Sequence, residues 1–122
     1  MYTDSNKDLQ RNLFESMHPK MTLTEVQDFF SEMLLLRGFN DDSIEEKMLL
    51  LIEEVGELAK ALRKEQSGLQ IDYNKIENYD TVRSELADVL IVLISISNLV
   101  DINLYEALYE KEKNNIDRKW AK

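Results

Sequence analysis

Apolar residues recur along this chain at helical intervals. Leu9, Leu13, Phe14 and Met17 outline a short amphipathic helix that stops before His18-Pro19, because a proline pushes the residue before it out of the helical region. The next helix is better marked. Thr22 with Glu25 three residues later is a capping-box pattern, Val26, Phe29, Phe30, Met33 and Leu34 follow, and Gly38 closes it. Ser43 with Glu46 repeats the start signal and opens a stripe of Leu51, Val55, Leu58 and Leu62, which Ser67-Gly68 interrupts. Residues 69–79 are polar and turn-like and read as a connector. A third long helix is expected to start near Asn78 to Asp80 and run to about Val100. Asn103 with Glu106 then caps a last helix from Leu104 to about Trp120.

This pattern describes an all-α protein with a short N-terminal extension, residues 1–21, and one helical domain, residues 22–122. A chain of 122 residues has room for a single core. Its three Gly and one Pro leave few turns for a β-rich fold, and the 32% of charged residues suits amphipathic helices with charged outer faces. Val89 to Ile96 is apolar on nearly every side, so Leu90, Ile91, Ile94 and Ser97 need more covering than one small bundle provides, and the chain is expected to oligomerise.

Composition also removes function classes. With no Cys there are no disulfides, thiolate zinc sites or cysteine nucleophiles, and a cytoplasmic setting is the default. The longest apolar run, Val89 to Ile94, is far below the roughly 20 residues a bilayer demands, and the polar, acidic Met1 to Gln10 is no signal peptide, so no membrane partner is expected. A net charge of −9 argues against nucleic acid as a partner, because such binding needs a cationic surface to displace phosphate counterions.

Glu54 and Glu57 stand three residues apart on one helix, and Glu85 and Asp88 repeat the arrangement on the next. One such pair taken alone reads as solvated surface, opposite Lys60, Arg63 and Arg83. Two pairs, each bordering an apolar stripe, read as a metal site, since an unpaired carboxylate at a core-facing position costs several kcal/mol. All-oxygen ligation selects hard ions, Mg²⁺ or Mn²⁺. Glu53, one step round the helix, is a further ligand or holds a water. On the last helix Lys111, Asn115 and Arg118 continue the stripe of Leu104 and Leu108, and together they suggest a grip for a polyphosphate. Lys111 alone would read as a snorkelling side chain.

From Leu49 to Trp120 the chain resembles the MazG-like, all-α nucleotide pyrophosphohydrolases, through Glu53-Glu54-Val55-Gly56-Glu57-Leu58, then Glu85-Leu86-Ala87-Asp88-Val89-Leu90, then Lys111, Asn115, Arg118 and Trp120. The resemblance implies an oligomeric four-helix bundle, a homodimer or homotetramer. The implied reaction is magnesium-dependent hydrolysis of a (deoxy)nucleoside triphosphate to the monophosphate and pyrophosphate, a reaction suited to nucleotide-pool house-cleaning. Glu54, Glu57, Glu85 and Asp88 would be metal ligands. Glu53, or Glu54 itself, would orient or deprotonate the water, and Lys111, Asn115, Arg118 and Lys60 would bind phosphates. Phe29, Phe30, Tyr73 and Tyr79 could stack on a base, although aromatics are more often buried for their area alone.

Two other readings compete. Within the enzymes, a related all-α branch acts on phosphoribosyl-ATP. Outside them, the same acids could form interhelical ion pairs in a non-catalytic acidic interaction module. A di-iron bundle is set aside, because it needs Glu-x-x-His pairs and the one histidine is His18.

Overall fold

The computed structural model describes residues 4–39 and 41–121, and every regular element among them is helical. In chain order these are α1 (Asp4–Phe14), α2 (Leu23–Leu36), α3 (Ile44–Gln66), a 3-10 helix (Tyr73–Asn78), α4 (Val82–Leu99) and α5 (Leu104–Ile116). The expected all-α class is therefore what the chain adopts. The helices fall into two compact units, Met1–Asp41 with Ser97–Lys122, and Asp42–Ile96.

In the first unit α1 and α5 both pack against α2. The capping box at Thr22 is complete: the Glu25 N–H donates to Thr22 Oγ1 at 3.1 Å and the Thr22 N–H to Glu25 Oε1 at 3.2 Å. Phe29 and Met33 are buried, and Phe29 meets Phe30 edge-on with centroids 5.0 Å apart. Gly38, at φ 84°, ends α2: its N–H donates to Leu35 O and that of Phe39 to Leu34 O. Asp101, at φ 57°, ends α4 in the same way, through Asp101 N–H to Asn98 O and Ile102 N–H to Ser97 O. Buried Gln27 ties these segments together. Its amide nitrogen donates to Ser97 Oγ and Ile102 O, both at 2.9 Å, and its oxygen accepts from the Leu104 N–H at 2.7 Å.

The second unit is built on α3 and α4, which run antiparallel. Near one end Lys47 Nζ donates to Ser95 Oγ at 2.6 Å, and at the other Glu65 Oε2 accepts from the Val82 N–H at 2.6 Å. Ala61 and Ile94 are wholly buried. Lys47 is only 5% exposed and stands 3.9 Å from Asp42, as a charge in so dry a place requires.

Three expected boundaries move. The connector is not irregular throughout, because Asp72 accepts from the Asn74 N–H and starts the 3-10 helix. α4 starts at Val82, later than expected, with Thr81 Oγ1 accepting from the Ser84 N–H at 3.1 Å. α5 ends at Ile116 rather than near Trp120, closed by the Asp117 N–H on Asn114 and Asn115 carbonyls. The apolar surround of α4 is also distributed differently. Ile94 and Ser97 are buried within the chain, whereas Leu86, Leu90 and Leu93 are exposed, as are Leu49, Ile52 and Val55 on α3.

Candidate active site

The pairing of Lys47 with Ser95 sets the register of the antiparallel helices in the second unit. Seven residues, two helical turns, further along α3 is Glu54, and seven residues back along α4 is Asp88. Glu85 lies one turn from Asp88 on the same helix. Carboxylate oxygens of Glu54, Glu85 and Asp88 accordingly come within 4.8 Å of one another. Two oxygens bound to one hard cation at about 2.0–2.6 Å stand at most about 4–5 Å apart, so the cluster has the dimensions and the donor set of such a site.

Its electrostatics point the same way. Glu85 is buried, Glu54 half-buried and Asp88 exposed. Glu85 Oε2 is buried without a hydrogen-bond donor among the described residues. Burial raises the Glu85 carboxyl above its ordinary range, and the charges of Asp88, Asp80 and Glu57 raise it further, against a smaller opposing effect of Lys60. Glu54 is raised too, first by burial and then by Asp88, Glu85, Glu53 and Glu57. Both shifts mean that the ionised forms are disfavoured until a positive charge joins them.

Of the four carboxylates expected to act together, three converge. Glu57 Oε2 instead lies 3.5 Å from Lys60 Nζ, the next turn of the same helix, and Lys60 Nζ stands 4.8 Å from the centre of the Tyr79 ring. Glu53 is exposed beside Glu54. Asp80, just before α4 and outside both i, i+3 acid pairs, adds its charge to this group, which spacing along the chain does not signal. Its proximity to Glu85 shows in the Glu85 shift, while its oxygens accept from the Thr81 N–H and the Ser84 hydroxyl.

Lys111, Asn115 and Arg118 belong to the first unit. They do not form one helical stripe, because α5 stops at Ile116 and Arg118 lies beyond its C-cap. Arg118 nonetheless reaches back to donate to Asn115 Oδ1 at 3.2 Å, while Asn115 donates to Glu112 and the guanidinium covers the Trp120 ring at 4.7 Å. Lys111 is exposed. Among the aromatics, Phe29 is spent on the core and Tyr73 is 85% exposed.

The profile of a family described as the MazG nucleotide pyrophosphohydrolase domain matches residues 42–119. Among solved structures, iMazG from Vibrio DAT 722 is 33% identical, with a TM-score of 0.54 over 78% of this chain and 94% of that one. No curated protein sequence matches.

Proposed function

Since this chain belongs to the MazG nucleotide pyrophosphohydrolase family, and so is a hydrolase acting on nucleotide anhydrides, we propose that it converts (deoxy)nucleoside triphosphates to monophosphates and pyrophosphate in a magnesium-dependent reaction. The observation that carries this reading is the convergence of Glu54, Glu85 and Asp88 around the unpartnered Glu85 oxygen. These three would hold the ion, with Glu57 joining them on leaving Lys60, and manganese would substitute for magnesium. A bound divalent ion supplies positive charge and Lewis acidity toward the phosphate oxygens.

The side chains of this chain do the rest. Glu53, exposed and adjacent to Glu54, accepts a proton from the attacking water, a role for which Glu54 is the second candidate. Lys60, once released by Glu57, meets a phosphate oxygen, and Lys111, Asn115 and Arg118 offset charge on the departing pyrophosphate. The exposed apolar rows Leu49, Ile52, Val55 and Leu86, Leu90, Leu93 support assembly into a homodimer at least, with a tetramer open to it. Among the described residues no helix is long and apolar enough to cross a membrane.

Hydrolysis of a triphosphate panel in water enriched in heavy oxygen, followed by mass spectrometry, tests the reaction. The label is expected in the monophosphate, because water attacks the α-phosphorus, and EDTA is expected to stop turnover. Label in pyrophosphate, or free phosphate as first product, would overturn the reading. A panel on which only phosphoribosyl-ATP turned over would transfer the chain to that branch.

A further inference from the structure

Where α1 lies against α2 in the first unit, a cavity of about 310 Å³ is lined by Lys7, Gln10, Arg11, Phe14, Met33 and Arg37. Three of these six residues are cationic and none is acidic, in a chain whose net charge is −9. The fold brings them together in two ways. Lys7, Gln10, Arg11 and Phe14 recur at three- and four-residue spacing, so they share one face of α1. Arg37 is the C-cap of α2, and its Nε donates to Gln10 Oε1 at 3.2 Å.

That last bond settles which end of the Gln10 amide is which. With the oxygen held by Arg37, the Nε2 group is a donor, and it is buried without an acceptor among the described residues. Asp8 stands against this array, and its ion pair with Arg11 at 3.2 Å is about three-quarters exposed on both sides, a geometry that binds weakly in water. The lining itself thus carries three cationic side chains, no acidic one, and a buried amide donor in want of an acceptor. Carboxylates carry one charge and two oxygens. A phosphoryl group carries up to two charges and three terminal oxygens, which better matches two guanidiniums, an ammonium and an orphaned amide.

We propose that this cavity binds a phosphate-bearing anion without the help of a metal ion, independently of the carboxylate cluster. Arg11 and Arg37 grip the phosphoryl oxygens, Lys7 adds charge, Gln10 Nε2 gains the acceptor it lacks, and Phe14 and Met33 offer an apolar wall to whatever the phosphate is attached to.

The test uses the full chain in EDTA, titrated calorimetrically with inorganic pyrophosphate and separately with AMP. Saturable binding of at least one is expected, and the tighter of the two identifies the source as an inorganic anion or a phosphate monoester. Arg11→Gln, on an exposed helix face, is expected to weaken binding tenfold or more. Lys7→Gln should weaken it as well, with circular dichroism confirming an unchanged helix content for both. Glu85→Gln should leave the affinity as it is. Failure of both anions to saturate in EDTA, or equal affinity in parent, Arg11→Gln and Lys7→Gln, would overturn the proposal. Neither result would bear on triphosphate hydrolysis, which the heavy-oxygen experiment reads separately.

Discussion

Glu85 is a buried acid surrounded by acids, and its neighbours explain why neutralising it should have different consequences with and without metal. In the metal-free protein Glu85→Gln relieves repulsion, so its melting temperature should equal or exceed the parent's. Magnesium or manganese at a hundredfold excess over its dissociation constant should stabilise the parent by about 2.7 kcal/mol. That increment should vanish in Glu85→Gln and Asp88→Asn, as followed by thermal melts with and without EDTA, and a metal response undiminished in both would remove the carboxylate cluster from the mechanism. Arg118 makes a separate case. It is exposed, so Arg118→Ala should leave the melt unchanged, while kcat/KM falls by about 2–4 kcal/mol if the guanidinium offsets charge in the transition state. Gln27 is the structural counterpart. Gln27→Ala leaves the Leu104 N–H and the Ile102 carbonyl without their partner, and urea unfolding should register a loss of about 3 kcal/mol, with a loss under about 1 kcal/mol counting against the network as a stabilising unit.

At the scale of elements, the helix ends carry the most readable energetics. The capping box lowers the Glu25 carboxyl through its hydrogen bonds from Thr22, and a depressed carboxylate stabilises the fold above its unfolded-state value and ceases to do so as pH falls through the folded-state value. Glu25→Gln should therefore be less stable than the parent at neutral pH, and the two curves should draw together in acid. Parallel curves down to the lower end of the carboxylate range would show that ionisation of Glu25 plays no part. The end of α4 offers an opposite test. Asp101 occupies the left-handed conformation that Gly38 takes at the end of α2, and a side chain there is strained. Asp101→Gly should raise stability by about 0.5–1 kcal/mol in the same unfolding assay, and a loss would mean that the Asp101 side chain itself stabilises this turn.

For the whole molecule, the exposed rows on α3 and α4 form the surface that assembly would cover. Light scattering at micromolar concentration should report a dimer or larger species, and the pair Ile52→Lys and Leu90→Lys should shift it toward monomer with the helical signal retained. A parent that is monomeric at that concentration would refute assembly through these rows.

Periodicity, caps and spacing by themselves determined the helical class, the starts of α2, α3 and α5, and the i, i+3 acid pairs. Each depends only on residues within one or two turns, where backbone hydrogen bonding and side-chain reach are set by the local chain. What lay between distant residues was decided by packing. A capping residue cannot report whether the last turn of α5 continues to Arg118, nor can a charged residue report its burial. Nothing local to Lys47 encodes that Asp42 and Ser95 close over it, and nothing local to Gln27 encodes that other segments use both ends of its amide. The place of Glu57 belongs here as well. Spacing put all four acids on two facing helices, but that Glu57 lies 3.5 Å from Lys60 while its charge still acts on Glu54 and Glu85 is a matter of neighbours in space, which no local spacing encodes.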